Sequence, residues 1–294
     1  MTSWGIVATA KAPIGKLWAF AAWHLGLGAA RIWLCFDEPE DPAFAQLDHP
    51  RITRIRCDAA HWQALGGRPD RHQNRQSKNA AMVYRRAGVD WLAHIDVDEF
   101  LWPDRRIAEM LEGLMPDQIL CRAEPFEAMH DPHLPDDIYT ATDFRGALKP
   151  RHAALRVPVL GRFASVLPEA MLSHANGKSF FRTGVPGLQP RLHGAFRDGQ
   201  RMDGPPFQPG LALLHFHAQD RGAWESALPF RLTRGAYQYH PALQDFLSAA
   251  SPGEIAAFYD ETQCLTPQKS ELLRSEGRLI QARLALREKV ATLF

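Results

Sequence analysis

Cysteine is scarce in this sequence, and an excess of either charge is absent. The four cysteines, Cys35, Cys57, Cys121 and Cys264, are scattered with no Cys-x-x-Cys spacing. That pattern argues against a thiolate zinc site or a disulfide framework and for reduced, buried thiols in a cytoplasmic protein. Lysines and arginines number 34 against 33 acids, a net charge of +1, so nothing marks the chain as a binder of nucleic acid or an anionic membrane. No uninterrupted apolar run approaches the roughly eighteen residues of a membrane-spanning helix. The first strand candidate already begins at Trp4, so no signal peptide is expected. What the chain does have is 294 residues, 46% of them hydrophobic. That suffices for the core of one large domain, or of a domain with an appendage.

The first half alternates between short apolar runs and helical patterns. Trp4 to Ala10 reads as a strand, Ile14 to Gly26 as a helix stopped by Gly26 and Gly28, and Arg31 to Phe36 as a second strand closed by Asp37-Glu38-Pro39. Ile52 to Cys57 alternates as a third strand, and a polar helix from about Asp70 to Ala87 leads into the apolar run that begins at Trp91. This order predicts an α/β fold, a parallel sheet covered by helices, whose ligands sit beyond the carboxyl ends of the strands.

The chemistry concentrates in Trp91-Leu92-Ala93-His94-Ile95-Asp96-Val97-Asp98-Glu99-Phe100-Leu101. An apolar strand here ends in two carboxylates one residue apart, with a third directly behind. Asp96 and Asp98 fall on the same side of an extended backbone, so both reach one hard cation such as Mg2+ or Mn2+, leaving positions open for phosphate oxygens. The plainer reading is a strand that runs into a polar turn.

Other strand ends offer partners. Thr9 and Lys11 follow the first strand, and the lysine suits a phosphate or plain solvent. Asp37 ends the second strand and can accept from a base or ribose, or close a turn before Pro39. In the polar helix, Asn74 and Lys78, and Arg75 and Asn79, are each one turn apart around Gln76, so two polar stripes face either a ligand or solvent. Gln118 to Ala123 is read as a strand. Glu124 to Asp137 is read as a loop that holds Glu124, Glu127, His130, Asp131 and His133. Gly177 to Phe181 and Arg191 to Gly194 are read as a second, antiparallel part of the sheet, with Lys178 and His193 as donors to an anion. Leu211 to His217 is a buried strand ending in His-x-His, with both imidazoles on one face and suited to Mn2+ or Zn2+.

Beyond Arg221 the chain reads as helical. Leu272, Leu279, Leu286 and Leu293 recur every seventh residue of an expected final helix, but Glu276 and Arg283 occupy intervening core positions. That helix is expected to pack on the domain body, with a homodimer contact as the alternative.

The stretch Ile95-Asp96-Val97-Asp98-Glu99-Phe100 resembles the Asp-x-Asp motif of GT-A fold glycosyltransferases, in its family-2-like Asp-x-Asp-Glu-Phe form. The resemblance covers roughly residues 1–220 and implies a GT-A-like Rossmann-type mixed sheet flanked by helices, followed by a helical C-terminal extension over 221–294. It implies a nucleotide-sugar donor, UDP- or GDP-linked, and a saccharide or glycoconjugate acceptor. Thr9, Lys11, Asp37, Gln76, Lys78, Asp96, Lys178 and His193 would bind the donor. Asp96, Asp98, His215 and His217 would hold Mn2+ or Mg2+, which neutralises charge on the departing nucleoside diphosphate. Asp98 and Glu127 would be catalytic, Glu127 as the base of an inverting attack, with Asp131, Asp198 and Asp203 behind it. A metal-dependent hydrolase or nucleotidyltransferase, and a catalytically silent nucleotide-sugar-binding protein, are the competing readings.

Overall fold

The computed structural model describes residues 1–134 and 138–294. In chain order its regular elements are β1 (Trp4–Ala10), α1 (Ile14–Gly26), β2 (Arg31–Phe36), α2 (Ala43–Gln46), β3 (Ile52–Arg56), α3 (Ala59–Ala64), α4 (His72–Tyr84), β4 (Trp91–His94), β5 (Glu99–Pro103), α5 (Ile107–Glu112) and β6 (Leu120–Ala128). There follow β7 (Asp143–Gly146), α6 (Ala153–Leu160), β8 (Lys178–Arg182), β9 (Leu188–Arg191), β10 (Gly194–Arg197), β11 (Gln200–Arg201), β12 (Phe207–His215), α7 (Arg221–Thr233), α8 (Pro241–Ala249), α9 (Pro252–Gln263), α10 (Pro267–Ser275), β13 (Leu279–Gln281) and α11 (Leu286–Leu293). The chain divides into two compact units. The first holds Met1–Glu124, Gly177–Leu213 and Ala285–Phe294, and the second holds Pro125–Asn176 and Leu214–Leu284. The boundary expected at residue 220 falls inside the second unit.

The first unit is built on parallel strands in the order β3-β2-β1-β4, extended antiparallel by β8 and the start of β6. The expected α/β class is borne out, with helices flanking a mixed sheet. The apolar runs read from the sequence become buried strands, with Ile6, Ala8, Ile32, Leu34, Leu92 and Ala93 wholly inside. On one side Val7, Trp33, Leu92 and Phe181 pack with Trp62 of α3 and Ala80 and Val83 of α4. Helix α1 buries Leu17, Phe20 and Trp23, and the Trp23 ring stacks on Trp102 at 5.7 Å and donates its Nε1 hydrogen to the Leu101 carbonyl at 2.9 Å. Strand β8 starts beside Gly177, whose φ of +65° is the left-handed region. A Cβ there would collide with the Ala123 carbonyl, so only glycine passes this point without strain. A small antiparallel sheet, β9-β10-β11, is separate from the main one, so Arg191 to Gly194 turns a hairpin of its own rather than extending the central sheet.

In the second unit the end of β6 pairs with β7, which pairs with β13. Trp224, Tyr237, Phe258 and Tyr259 anchor a core shared by α6 to α10. Two expectations need correcting here. The loop expected from Glu124 is strand as far as Ala128, because Phe126, Glu127 and Ala128 find partners in Gly146, Arg145 and Phe144. The far end of that loop, residues 135–137, lies outside the described residues. Nor is there one final helix. Helix α10 stops at Ser275, Gly277 takes φ +63°, Leu279 enters β13, and only Leu286 and Leu293 share α11. The four heptad leucines therefore lie on three elements rather than along one helix. Among the described residues no helix is long and apolar enough to cross a membrane.

Candidate functional site

Strands β1, β2 and β3 are laid down in one direction across the sheet, while β4 is added on the opposite side of β1. The strand order therefore reverses between β1 and β4, the point where open α/β sheets generally place a ligand beyond the carboxyl ends of their strands. Register fixes what lies there. Val7 is level with both Trp33 and His94, so Thr9, Asp37 and the residues after His94 emerge on the same edge.

Each of these groups already has protein partners. Asp37 is buried, and the Arg75 guanidinium grips its carboxylate with Nε 2.9 Å from Oδ1 and Nη2 2.9 Å from Oδ2. Arg68 adds a second guanidinium at 3.3 Å. The Thr9 hydroxyl accepts from Asn79 Nδ2 at 3.1 Å. Gln76 points at the acidic motif and donates to Asp96 Oδ1 at 2.5 Å. The helix α4 stripe of Arg75, Gln76 and Asn79 thus serves all three strand tips. Lys78 does not join it, because its ammonium caps the Leu65 and Gly67 carbonyls at 2.7 and 3.1 Å. Lys11 is exposed and paired with Glu38 at 3.1 Å, beside an open depression of about 640 Å³ lined by Pro13 and Glu38 to Pro42.

The acidic motif itself differs from the extended strand tip expected of it. Strand β4 ends at His94, and Val97-Asp98 is a turn closed by the Glu99 amide donating to the Asp96 carbonyl at 3.1 Å. The same-side argument for Asp96 and Asp98 therefore fails, since it holds only along extended backbone. Asp96 Oδ2 accepts from the Lys178 ammonium at 2.6 Å, and Lys178 also lies 3.4 Å from Glu99 Oε2. Glu99 Oε2 in turn accepts from the Asp96 amide at 2.7 Å. Burial pulls Lys178 toward neutrality, but the charges of Asp96, Glu99 and Asp98 outweigh it and raise its pKa. Behind the turn, burial and then the Lys178 charge hold His94 down to about 4.

Fit for a divalent cation follows from those bonds. Each Asp96 oxygen already accepts from one protein donor, Gln76 or Lys178, which leaves its remaining lone pairs as the only ones it could offer a cation. Asp98 is a half-buried carboxylate in the turn, of the hard-oxygen type that a divalent cation takes. One hard oxygen plus substrate phosphates and water is an ordinary Mg2+ environment. Lys178 was expected to meet the donor, yet its side chain is wholly buried. His193 gives Nδ1 to a hydrogen bond with the Gly177 carbonyl at 3.0 Å. The sequence reading gave no role to Glu99 or Arg68. Glu99 carried a visible signal, as the third acid of the motif, whereas Arg68 carried none beyond its place after Gly66-Gly67.

The second unit gathers a different set. His215 and His217 are neighbours as expected, with ring centroids 5.3 Å apart, and His174 lies equally near His215. His174 was missed because a lone histidine before Gly177 has no spacing to betray it. The Tyr237 hydroxyl accepts from Trp224 Nε1 at 2.8 Å and Arg231 Nη1 at 3.3 Å. With both lone pairs taken, its proton goes to His217 Nε2 at 3.2 Å. His217 is thereby held neutral, with burial and then the Arg231 charge pushing its pKa well below the ordinary value. That bond occupies Nε2 of His217, so a metal role for this residue would fall to its other nitrogen. Glu127 is fully buried, and its two oxygens accept from the backbone amides of Leu172 at 3.0 Å and Ser173 at 2.8 Å, with Arg145 Nη2 at 3.9 Å. This makes it a structural acceptor rather than an exposed base. Asp131 bonds the His133 amide at 2.8 Å, and Asp198 sits in the β10–β11 hairpin at φ +51°. Asp203 follows β11 on the surface.

No protein-family profile matches this chain, and no curated protein does. Two solved structures are similar to parts or all of it. One is the mannosyltransferase Ktr4p from S. cerevisiae, at 11% identity over 44% of this chain and 40% of that chain, with a TM-score of 0.25. The other is a CMP:2-keto-3-deoxy-manno-octonic acid synthetase complexed with CTP, at 12% identity over 99% of this chain and 98% of that chain, with a TM-score of 0.29. The first match thus spans well under half of the mannosyltransferase. At these TM-scores neither neighbour bears on what this chain does.

Proposed function

We propose that the first unit binds a nucleotide sugar, UDP- or GDP-linked, in the crevice at the carboxyl ends of β1, β2 and β4, and that the chain transfers the sugar to the hydroxyl of a saccharide or glycoconjugate acceptor. The observation that carries this reading is the convergence of Thr9, Asp37 and the Asp96–Glu99 turn where the strand order reverses. Open α/β sheets bind nucleotides at such a point. The resemblance of the turn to the Asp-x-Asp-Glu-Phe motif supports the same conclusion.

The chain's own residues have definable tasks in this reading. Asp37, oriented by the Arg75 fork, presents carboxylate edges to the N–H or O–H donors of a base or ribose. Gln76 and Lys178 fix Asp96 and with it the shape of the turn. Asp98 is the residue that would hold Mn2+ or Mg2+ against the donor's diphosphate. Such an ion, when bound, neutralises charge on the leaving nucleoside diphosphate. Displacement by the acceptor hydroxyl in one step inverts the sugar carbon, and the base for that step is not assigned to Glu127.

Thermal unfolding with a panel of nucleotide sugars tests the reading. A UDP- or GDP-sugar should raise the melting temperature only when Mn2+ or Mg2+ is present, and Asp98→Ala should abolish the gain. No shift with any member of the panel would sink the proposal. Release of inorganic phosphate or pyrophosphate without sugar transfer would move the assignment to a hydrolase or nucleotidyltransferase. Tight binding with neither transfer nor donor hydrolysis would mark a silent binding protein.

A further inference from the structure

Where α3 and α4 cover the sheet of the first unit they leave an apolar cavity of about 340 Å³, with Trp33, Ile55, Leu65, Met82 and Val83 among its walls. Trp33 of β2 is level with Thr53 of β3, and Cys35 with Ile55, so the alternation of a strand puts Trp33 and Ile55 on this one face. The Trp33 ring reaches over Gly5 of β1, where a Cβ would strike it at 2.7 Å, and that close packing fixes the wall in place. Trp33 lies four residues before Asp37 along its strand, roughly 13 Å from the strand tip. The cavity is therefore separate from the acidic turn and its partners. No acid lines it, and the cation at its rim is Arg86, which follows the end of α4 at Tyr84. The Arg86 guanidinium is exposed and enters no ion pair or hydrogen bond among the described residues. An exposed arginine is ordinarily solvated, and an apolar recess ordinarily marks imperfect packing. Together they suit a ligand whose apolar body leaves water while its charged head stays at the surface. We propose that this cavity binds a small aromatic carboxylate, its ring against Trp33 and Met82 and its carboxylate on Arg86. An aromatic ring gains from packing on an indole and from contact with a thioether sulfur. The guanidinium fork matches both oxygens of a carboxylate.

The test needs neither nucleotide nor metal, so it does not stand or fall with the donor reading. Naphthaleneacetate and its neutral analogue of the same shape, naphthaleneacetamide, are titrated into the full chain and followed by isothermal calorimetry. The acid should saturate a single site per chain and bind about fivefold more tightly than the amide, the worth of an ion pair that stays partly solvated. Arg86→Gln should bring the acid down to the affinity of the amide. Ala64→Trp, which sets an indole into the cavity from an exposed position on α3, should remove the binding of both. Neither substitution touches a buried side chain, so both variants should keep the circular dichroism spectrum of the unaltered protein. Equal affinity for acid and amide, no saturable binding of either, or binding that survives Ala64→Trp would overturn the proposal.

Discussion

Acid should weaken this protein through His24, and the structure says by how much. The ring is buried in α1 between Phe20 and Phe100. Its Nδ1 bonds the Phe20 carbonyl at 2.8 Å, and its Nε2 accepts the Leu101 amide at 3.2 Å. Both bonds require the neutral ring with its proton on Nδ1. A second proton would break the Leu101 bond and leave a charge among aromatic rings, so burial lowers the pKa from 6.5 to about 3. As pH falls through 6.5 the unfolded chain takes up a proton that the folded chain refuses until about pH 3. Stability is therefore complete above the unfolded value and declines on acidification across that window. The slope is about 1.4 kcal/mol per pH unit, which amounts to about 2 kcal/mol between pH 7 and pH 5 for His24 alone. His94, held down to about 4, adds a similar amount over the same interval. Urea unfolding of the unaltered protein and of His24→Gln at pH 7, 6 and 5 separates the two contributions. The variant should start less stable but lose about 2 kcal/mol less on acidification. If it keeps the full pH dependence of the unaltered protein, the burial argument is wrong.

Two further substitutions probe the partners named above. Arg75→Ala leaves the buried Asp37 carboxylate with only the half-exposed Arg68, and should cost about 3 kcal/mol of stability in urea unfolding; a loss below about 1 kcal/mol would mean that solvent already reaches Asp37. Tyr237→Phe removes the acceptor of the buried Trp224 N–H and should lower stability by about 1–3 kcal/mol. An unchanged melting temperature would show that another acceptor takes over.

Much of the first unit was legible because its signals are local. The apolar runs at Trp4 to Ala10, Arg31 to Phe36 and Ile52 to Cys57 needed only a period and a stop signal, and α1 ended at Gly26 as the glycines indicated. The stripe on α4 was visible too, although its members serve different masters: Arg75 grips Asp37, Gln76 holds Asp96, and Lys78 caps carbonyls. Spacing fails where one pattern can be written on different backbones. The leucines at 272, 279, 286 and 293 keep a sevenfold interval across helix, strand and helix, and the Ser275-Glu276-Gly277 stop was the better guide. The long-range pairs, Lys178 with Asp96 and Glu127 with the amides of Leu172 and Ser173, have no local signature at all.

The acidic motif shows why that distinction matters for assigning chemistry. Read as extended strand, Asp96-Val97-Asp98 offers two equivalent ligands; folded as a turn, it separates them into different jobs. The amide of Glu99 closes the turn on the Asp96 carbonyl, and the Glu99 side chain returns to the Asp96 amide. Glu99 is thereby drawn inward, and both it and Asp96 lie against the Lys178 ammonium. Asp98, half-buried like Asp96, lies in the turn itself. Asp96, held by Gln76 and Lys178, shapes the turn, whereas Asp98 is the carboxylate proposed to meet the cation. Substitutions at Asp96 should therefore register first in stability and at Asp98 first in cation uptake, and the two residues of one short motif should not be interchangeable.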